Sequence, residues 1–185
     1  MSTALLLIDI QNDYFPNGRM ELSSPVKAAE HASKILNWFR QKSKPIFHIQ
    51  HISIQEGATF FLPETEGAHI NEAVLPLKHE SIVIKHRPNS FHTTDLEQQL
   101  RNKGITKLVI CGMMTHMCID ATVRAAKDLG FECTLIEDAC ATRDLSFKNK
   151  VVPADQVHHA FVSALNGIYA NVMSTEDFLQ QADQN

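Results

Sequence analysis

Apolar residues in this chain fall into short unbroken runs, and between the runs they recur every three or four positions. The runs are Ala4 to Ile10, Pro45 to Ile49, Ser81 to Ile84, Lys107 to Cys111 and Cys133 to Ile136, with a weak last one from Ala170 to Met173. Runs of four to seven residues bounded by polar or turn-forming residues predict buried strands. The spaced pattern predicts helices. The first opens at Ser24, a candidate N-cap, with Pro25 in the first helical position and Ala29, Ala32, Leu36 and Phe39 on its apolar face. A short helix carries Leu96 and Leu100 and stops near Gly104. A third, with Thr115 as its predicted cap, runs to about Leu129 and ends at Gly130. A fourth places Val157, Phe161, Leu165 and Ile168 on one stripe, and a terminal helix begins near Thr175. Residues 55–74 show no clean period and are punctuated by Gly57, Pro63 and Gly67. They predict an irregular loop, and loops of that length in a compact domain are usually functional or disordered.

Strand alternates with helix along the whole chain, and the strands are nearly continuously apolar. Both features predict an α/β fold: an open, mostly parallel sheet of about six strands with helices on both faces, a Rossmann-like three-layer sandwich. No repeat or low-complexity linker divides the 185 residues, so a single domain over 1–185 is expected. In open sheets of this kind ligands bind outside the carboxyl ends of the strands. Three places follow: after Ile8, after Ile84 and after Ile110.

Composition narrows the function classes. Apolar residues make up 44%, enough to bury a core at this size. The formal net charge is −4 and no Lys/Arg stripe stands out, so nucleic acid is not an expected partner. No apolar run approaches the roughly 18 residues of a membrane span, and the start lacks a basic n-region and cleavage signal. A cytoplasmic protein is the expectation. The four cysteines contain no C-x-x-C pair. Cys111 and Cys133 read as small buried hydrophobes, and Cys140 is left open.

The chemistry-bearing residues sit where the fold rule points. Asp9 ends the first strand inside an otherwise apolar run, either as a desolvated proton acceptor or as a structural partner of loop amides. Lys85 ends the third strand; a lysine there is commonly just solvent-facing, yet beside a thiol it would stabilise a thiolate and a developing oxyanion. Cys118 falls in the first turn of the helix after the fourth strand, where the helix N-terminus lowers a thiol pKa and offers free N–H groups. An acid, an amine and a thiol that each fall at the carboxyl end of a predicted strand suit nucleophilic acyl transfer through a covalent intermediate.

Three segments resemble the isochorismatase-like superfamily of cysteine hydrolases. Leu7 to Phe15, with Asp9, Gln11, Asn12 and Asp13, is similar to the family's D-x-Q-N-D-F start. Lys85 to Phe91, followed by Thr94 and Leu96, is similar to its lysine, serine and phenylalanine segment with T-x-L. Gly112 to Cys118 is similar to G-x-x-T-x-x-C, and Ala121 to Ala126 with Asp138-Ala139 continues the likeness. The resemblance implies Cys118 as nucleophile, Asp9 as its general base and Lys85 as the charge that orients both. It also implies a cis peptide at Met113–Met114 and an oxyanion hole from the backbone N–H groups of Met114 and Cys118. The presence of the cysteine favours hydrolysis of an amide, lactam or urea-type C–N bond of a small molecule. Three alternatives stay open: an isochorismatase-type vinyl-ether hydrolase using Asp9 without the thiol, a nicotinamidase-like amidase, and a catalytically silent scaffold. The Asp-x-His pair of nicotinamidases is missing at Gln50-His51-Ile52-Ser53, so neither a metal nor another cofactor is expected, although His48, His51 and His69 are the histidines that a different site would use. His158-His159 reads as solvated. Phe15, Phe60, Phe61, Phe91, Thr115 and His116 are candidate substrate-binding residues, with core packing the alternative for each phenylalanine and helix capping that for Thr115. The family likeness implies a homo-oligomer, with an exposed Trp38 or the long middle loop contributing to contacts between copies.

Overall fold

The computed structural model describes residues 2–184. Six strands form one parallel sheet in the order β3-β2-β1-β4-β5-β8: β1 (Ser2–Ile8), β2 (Ile46–His51), β3 (Ser81–Lys85), β4 (Ile105–Met113), β5 (Glu132–Ala141) and β8 (Asn171–Met173). The helices α1 (Pro25–Gln41), α2 (Leu96–Asn102), α3 (Asp120–Asp128), α4 (Ala154–Leu165) and α5 (Thr175–Asp183) cover the sheet. The fold is the α/β sandwich that the alternating pattern predicts. Ala4, Leu5, Leu6, Leu7 and Ile8 of β1 are all buried because this strand is central and roofed on both faces. Ala32, Ile35, Leu36 and Phe39 supply the buried stripe of α1. Among the described residues no helix is long and apolar enough to cross a membrane.

The chain turns to opposite sides of the sheet after β1, so β2 lies on one flank of β1 and β4 on the other. The point of reversal lies at the carboxyl ends of β1 and β4, where open α/β sheets have the crevice that takes ligands. Gly112 is required where these two strands end. It sits opposite Ile8 with φ 132°, and a Cβ there would lie 2.0 Å from the Ile8 carbonyl oxygen. Only glycine allows the two strands to stay this close where they end.

Several elements depart from the sequence expectation. β4 and β5 run on to Met113 and Ala141, past the ends of their apolar runs, with a register shift between Ile110 and Gly112. A two-stranded antiparallel hairpin, β6 (Leu145–Phe147) and β7 (Lys150–Val152), was not predicted. Its Phe147, Val151 and Val152 are exposed, so no buried-face alternation marks it. Ile168 lies beyond α4 and is exposed, because the helix ends at Leu165 and Asn166 is extended. Ser24 precedes α1 as expected, but at φ 54° its side chain makes no capping bond. Trp38 is half-buried rather than exposed: its ring packs on Phe39 and Phe178, and Nε1 donates to Asp183 Oδ1 at 3.0 Å. Residues 55–74 hold no strand, only short 3-10 turns at Glu66–Ala68 and Glu72–Val74.

At the opposite end of the sheet from the crevice, Glu80 ties α1 to β2. Arg40 donates from Nε to Glu80 Oε1 at 2.7 Å and from Nη2 to Oε2 at 2.9 Å. The Leu77 amide and His48 Nε2 also reach Oε2, each at 2.9 Å. His48 is thereby a structural residue, committed away from the crevice. Burial pushes the Glu80 carboxyl up, but the bonds from Arg40, Leu77 and His48 outweigh it and hold the group at about 2.

Two outcomes are expected. Gly112→Ala destabilises the protein by about 3 kcal/mol or more, read as a lower denaturant midpoint, because the Ile8 carbonyl must move. Glu80 is more acidic folded than unfolded, where carboxyls of this type titrate near about 4.3. Its stabilisation is therefore full above that value and is lost as pH falls through about 2. Glu80→Gln lowers the neutral-pH melting temperature and flattens its decline across this acid window.

Candidate active site

The crevice holds a buried charge cluster built from the ends of β1, β2 and β3 and the turn after β4. Asp9 directly follows β1, its N–H donating to Ile49 O at 3.0 Å. Its φ of 51° is unusual for a residue with a side chain. Such conformations gather at functional sites. Its carboxylate is fully buried, and Oδ2 lies 2.7 Å from Lys85 Nζ. Among the described residues no backbone amide donates to this carboxylate, so its oxygens remain available as acceptors. Lys85, equally buried, points inward from the last position of β3 rather than to solvent. Its Nζ also donates to Arg87 O at 3.1 Å, and lies 3.3 Å from Cys118 Sγ and 3.0 Å from His51 Nδ1.

Cys118 sits in a single π-helical turn, Thr115–Ile119, that leads into α3. Its hallmark is Ile119 N–H donating to Met114 O at 3.2 Å, five residues back. The Met113–Met114 peptide is cis. Thr115 does not cap the helix. Its hydroxyl is fully buried and bonds Ala141 O at 3.3 Å and His158 Nδ1 at 3.0 Å. His158 is therefore half-buried and engaged, not solvated, with Nε2 3.5 Å from Glu137; His159 is exposed.

The electrostatics differ from the sequence expectation for the thiol. Burial and the neighbouring Asp9 carboxylate push the Cys118 thiol up, and Lys85 opposes them only in part. The helix N-terminus does not reverse this, because the sulfur is almost wholly removed from water. Burial alone would lower the Lys85 pKa, but Asp9 and Cys118 outweigh it and raise it, so the group stays an ammonium. The resting cluster is a carboxylate, an ammonium and a thiol. A base is thus needed to release the nucleophile, and Asp9 is in reach: Asp9, His51 and Cys118 each bring one donor atom within 4.8 Å of the others. Among the described residues these three have a spacing that would suit a metal, but the Lys85 ammonium stands in contact with all of them and opposes a cation there.

The candidate substrate-binding residues divide. Phe60 and Phe61 form a ring cluster with Tyr14, with centroid separations of 4.9 Å between the two phenylalanines and 4.6 Å from Phe61 to Tyr14. Phe61 also lies 5.9 Å from the His51 ring, which brings this cluster to the edge of the charge site. Phe15 instead lines a groove of about 900 Å³ with Arg19, Gln50, His69 and Asn71, and none of Asp9, Lys85 or Cys118 lines it. His69 is exposed there and paired with Glu66. Phe91 stacks on Phe131 at 6.0 Å, with Arg101 over the Phe131 ring. His116 is tied through Nδ1 to the Thr142 hydroxyl and lies edge-on to Phe161.

Residues that sequence reasoning did not single out complete the site. Gln11 is fully buried and grips the end of β2: Oε1 accepts from His51 N at 2.8 Å, and Nε2 donates to His51 O at 2.9 Å and Ala68 O at 2.8 Å. Asp13 accepts from Phe61 N at 2.6 Å and Arg19 N at 3.1 Å, and fills the space a side chain at Gly67 would need. Ser90 and Thr122 bond each other at 2.9 Å, linking the Lys85 segment to α3. Gln11 and Asp13 lie inside the first quoted motif, and polar residues in an apolar setting were the available signal. His51 joins the cluster from the end of β2, whereas the sequence offers it only as a histidine for a different, metal-type site.

Known proteins resemble this chain along most of its length. The isochorismatase domain model matches residues 3–177. YddQ, an uncharacterised isochorismatase family protein of Bacillus subtilis, is 56% identical over 180 residues, 97% of this chain and 100% of its own. A crystal structure of an isochorismatase hydrolase from Oleispira antarctica superposes with a TM-score of 0.93 at 50% identity, covering 97% of this chain and 96% of that one. A streptothricin hydrolase of Streptomyces noursei is 31% identical over 144 residues, 77% of this chain and 50% of its own. A match over nearly the whole chain, with the carboxylate, ammonium and thiol gathered at one sheet edge, makes this protein a member of the isochorismatase family of hydrolases.

Proposed function

We propose that this protein is a cysteine hydrolase that cleaves a C–N bond of a small amide, lactam or urea-type substrate through an acyl-cysteine intermediate. The observation that carries the reading is the Lys85 ammonium bridging Asp9 Oδ2 at 2.7 Å and Cys118 Sγ at 3.3 Å in a buried crevice. As the substrate carbonyl approaches, Asp9 takes the thiol proton and the sulfur attacks the carbonyl carbon. Negative charge moves to the carbonyl oxygen, where the N–H groups of Met114 and Cys118 at the start of the helix form the oxyanion hole. The tetrahedral intermediate collapses, the C–N bond breaks, and the protonated Asp9 gives its proton to the leaving nitrogen. A water then attacks the thioester, with Asp9 again accepting a proton. The acid is released and the thiol regains its hydrogen. Lys85 keeps its proton throughout and offsets the negative charge as it passes between oxygen and sulfur.

The similarity to a streptothricin hydrolase supports hydrolysis over other chemistries. The vinyl-ether alternative leaves Cys118 idle, which fits poorly with a sulfur held within reach of both charged partners. The Tyr14, Phe60 and Phe61 rings pack on one another beside the His51 ring.

A screen of small amides, lactams and ureas, with Cys118→Ala beside the native chain, is the test. Turnover of the substrate found should fall at least about a thousandfold in Cys118→Ala and in Asp9→Asn. Mass spectrometry of quenched native enzyme should show the acyl group on Cys118. Full activity of Cys118→Ala on that substrate overturns the mechanism, and activity that survives loss of the thiol but not of Asp9 selects the ether-hydrolase chemistry.

A further inference from the structure

Lys85 Nζ has more acceptors around it than protons to give. Asp9 Oδ2 lies at 2.7 Å, His51 Nδ1 at 3.0 Å, Arg87 O at 3.1 Å and Cys118 Sγ at 3.3 Å. An ammonium carries three N–H bonds. A neutral thiol sulfur is the weakest acceptor of the four and also the farthest. The resting allocation is therefore one proton each to the carboxylate, the Arg87 carbonyl and the imidazole.

His51 is built to keep its share. Gln11 clamps both its backbone N–H and its carbonyl, so the ring hangs from a fixed strand end. Burial first, and then the Lys85 charge, push the His51 pKa down to about 4, with His86 adding to them and Asp9 opposing. The imidazole is thus neutral at physiological pH, with Nδ1 bare to accept and the ring proton on Nε2. The charged groups facing Cys118 are Asp9 and Lys85, and the buried Tyr14 phenol lies in the field of both Cys118 and Asp9.

We infer that His51 is a positioning residue that holds one Lys85 proton away from the sulfur, so that Cys118 rests as a thiol and receives that hydrogen bond only once it becomes a thiolate. A thiolate is a far better acceptor than a neutral imidazole, so the proton swings from Nδ1 to Sγ when Asp9 removes the thiol hydrogen. The bond is made as charge develops and not before, which is the condition for an interaction to speed the chemical step. The inference rests on the acyl-transfer reading above and adds a fourth residue to it.

The experiment is the pH dependence of Cys118 alkylation by iodoacetamide in the full-length chain, with peptide mass mapping to separate Cys118 from the other three cysteines. His51→Leu fills the space without an acceptor. His51→Asn keeps an oxygen close to the place of Nδ1. The native profile should rise only above the ordinary thiol range. In His51→Leu the freed proton turns to sulfur, and the midpoint should fall by about one pH unit, roughly a tenfold faster alkylation at a given lower pH. His51→Asn should stay near the native curve. An unchanged or upward-shifted midpoint in His51→Leu overturns the inference, as do equal shifts in both variants, which would mean that the ring's bulk matters and not its acceptor. Should His51→Leu fail to fold by circular dichroism, nitrogen-15 NMR of the native histidines decides: a neutral His51 with its proton on Nε2 down to pH 5 supports the inference. A proton on Nδ1, or titration near pH 6.5, overturns it. Alkylation needs no substrate, so it stands even if Cys118→Ala turns out to hydrolyse the substrate normally.

Discussion

Everything at the crevice depends on one ion pair taken out of water. Lys85 and Asp9 are both fully buried, and removing either from solvent alone would cost several kcal/mol. Together, at 2.7 Å, they tolerate each other's burial, and neither can be lost without stranding the other. The thiol of Cys118 rests against this pair and inherits its conditions. Its proton is held by burial and by the carboxylate, and its thiolate, once formed, faces a cation already in place. The site is therefore quiet until a substrate arrives, which limits oxidation of a nucleophile that would otherwise sit as a reactive anion.

The sheet topology exists to bring this pair together. Asp9 and Lys85 are 76 residues apart and belong to strands separated by β2, while Cys118 comes from the far side of β1. Parallel strands ending at one edge turn that sequence distance into contact. Gly112 lets β4 approach Ile8, and the turn after β4 carries the sulfur back over the end of β1. The Ser90–Thr122 pair then fixes the Lys85 segment to the helix that bears the sulfur. Protein ends that are polar and close-packed in this way must satisfy each other's hydrogen bonds, and most of the buried polar side chains here do.

How far the sequence alone reaches can be judged from particular residues. The continuous apolar runs of β1 and β4 declare a parallel sheet, and the strand-end rule then singles out Asp9, Lys85 and Cys118. What stays hidden is anything decided by partners distant in the chain. Thr115 has the look of a helix cap, but its hydroxyl is drawn to Ala141 and His158, which no local pattern reveals. The thiol's protonation is not legible either, because a helix N-terminus is visible in sequence, whereas the carboxylate and the loss of water around the sulfur are tertiary. Trp38 and the β6–β7 hairpin mark opposite errors: a large ring assumed to face solvent is covered by α5, and a short polar-looking stretch forms strands with its apolar side chains outward.

The grip of Gln11 on both the β2 end and Ala68 has an evolutionary reading. The middle loop is moored at Ala68 by this amide and at Phe61 by Asp13, and the residues between and before these moorings carry no part of the charge cluster. Insertions or replacements there can remodel the walls around a bound molecule while the carboxylate, ammonium and sulfur keep their spacing. A lineage carrying this framework can diversify what it digests through the tethered segment, leaving the bond-breaking apparatus untouched.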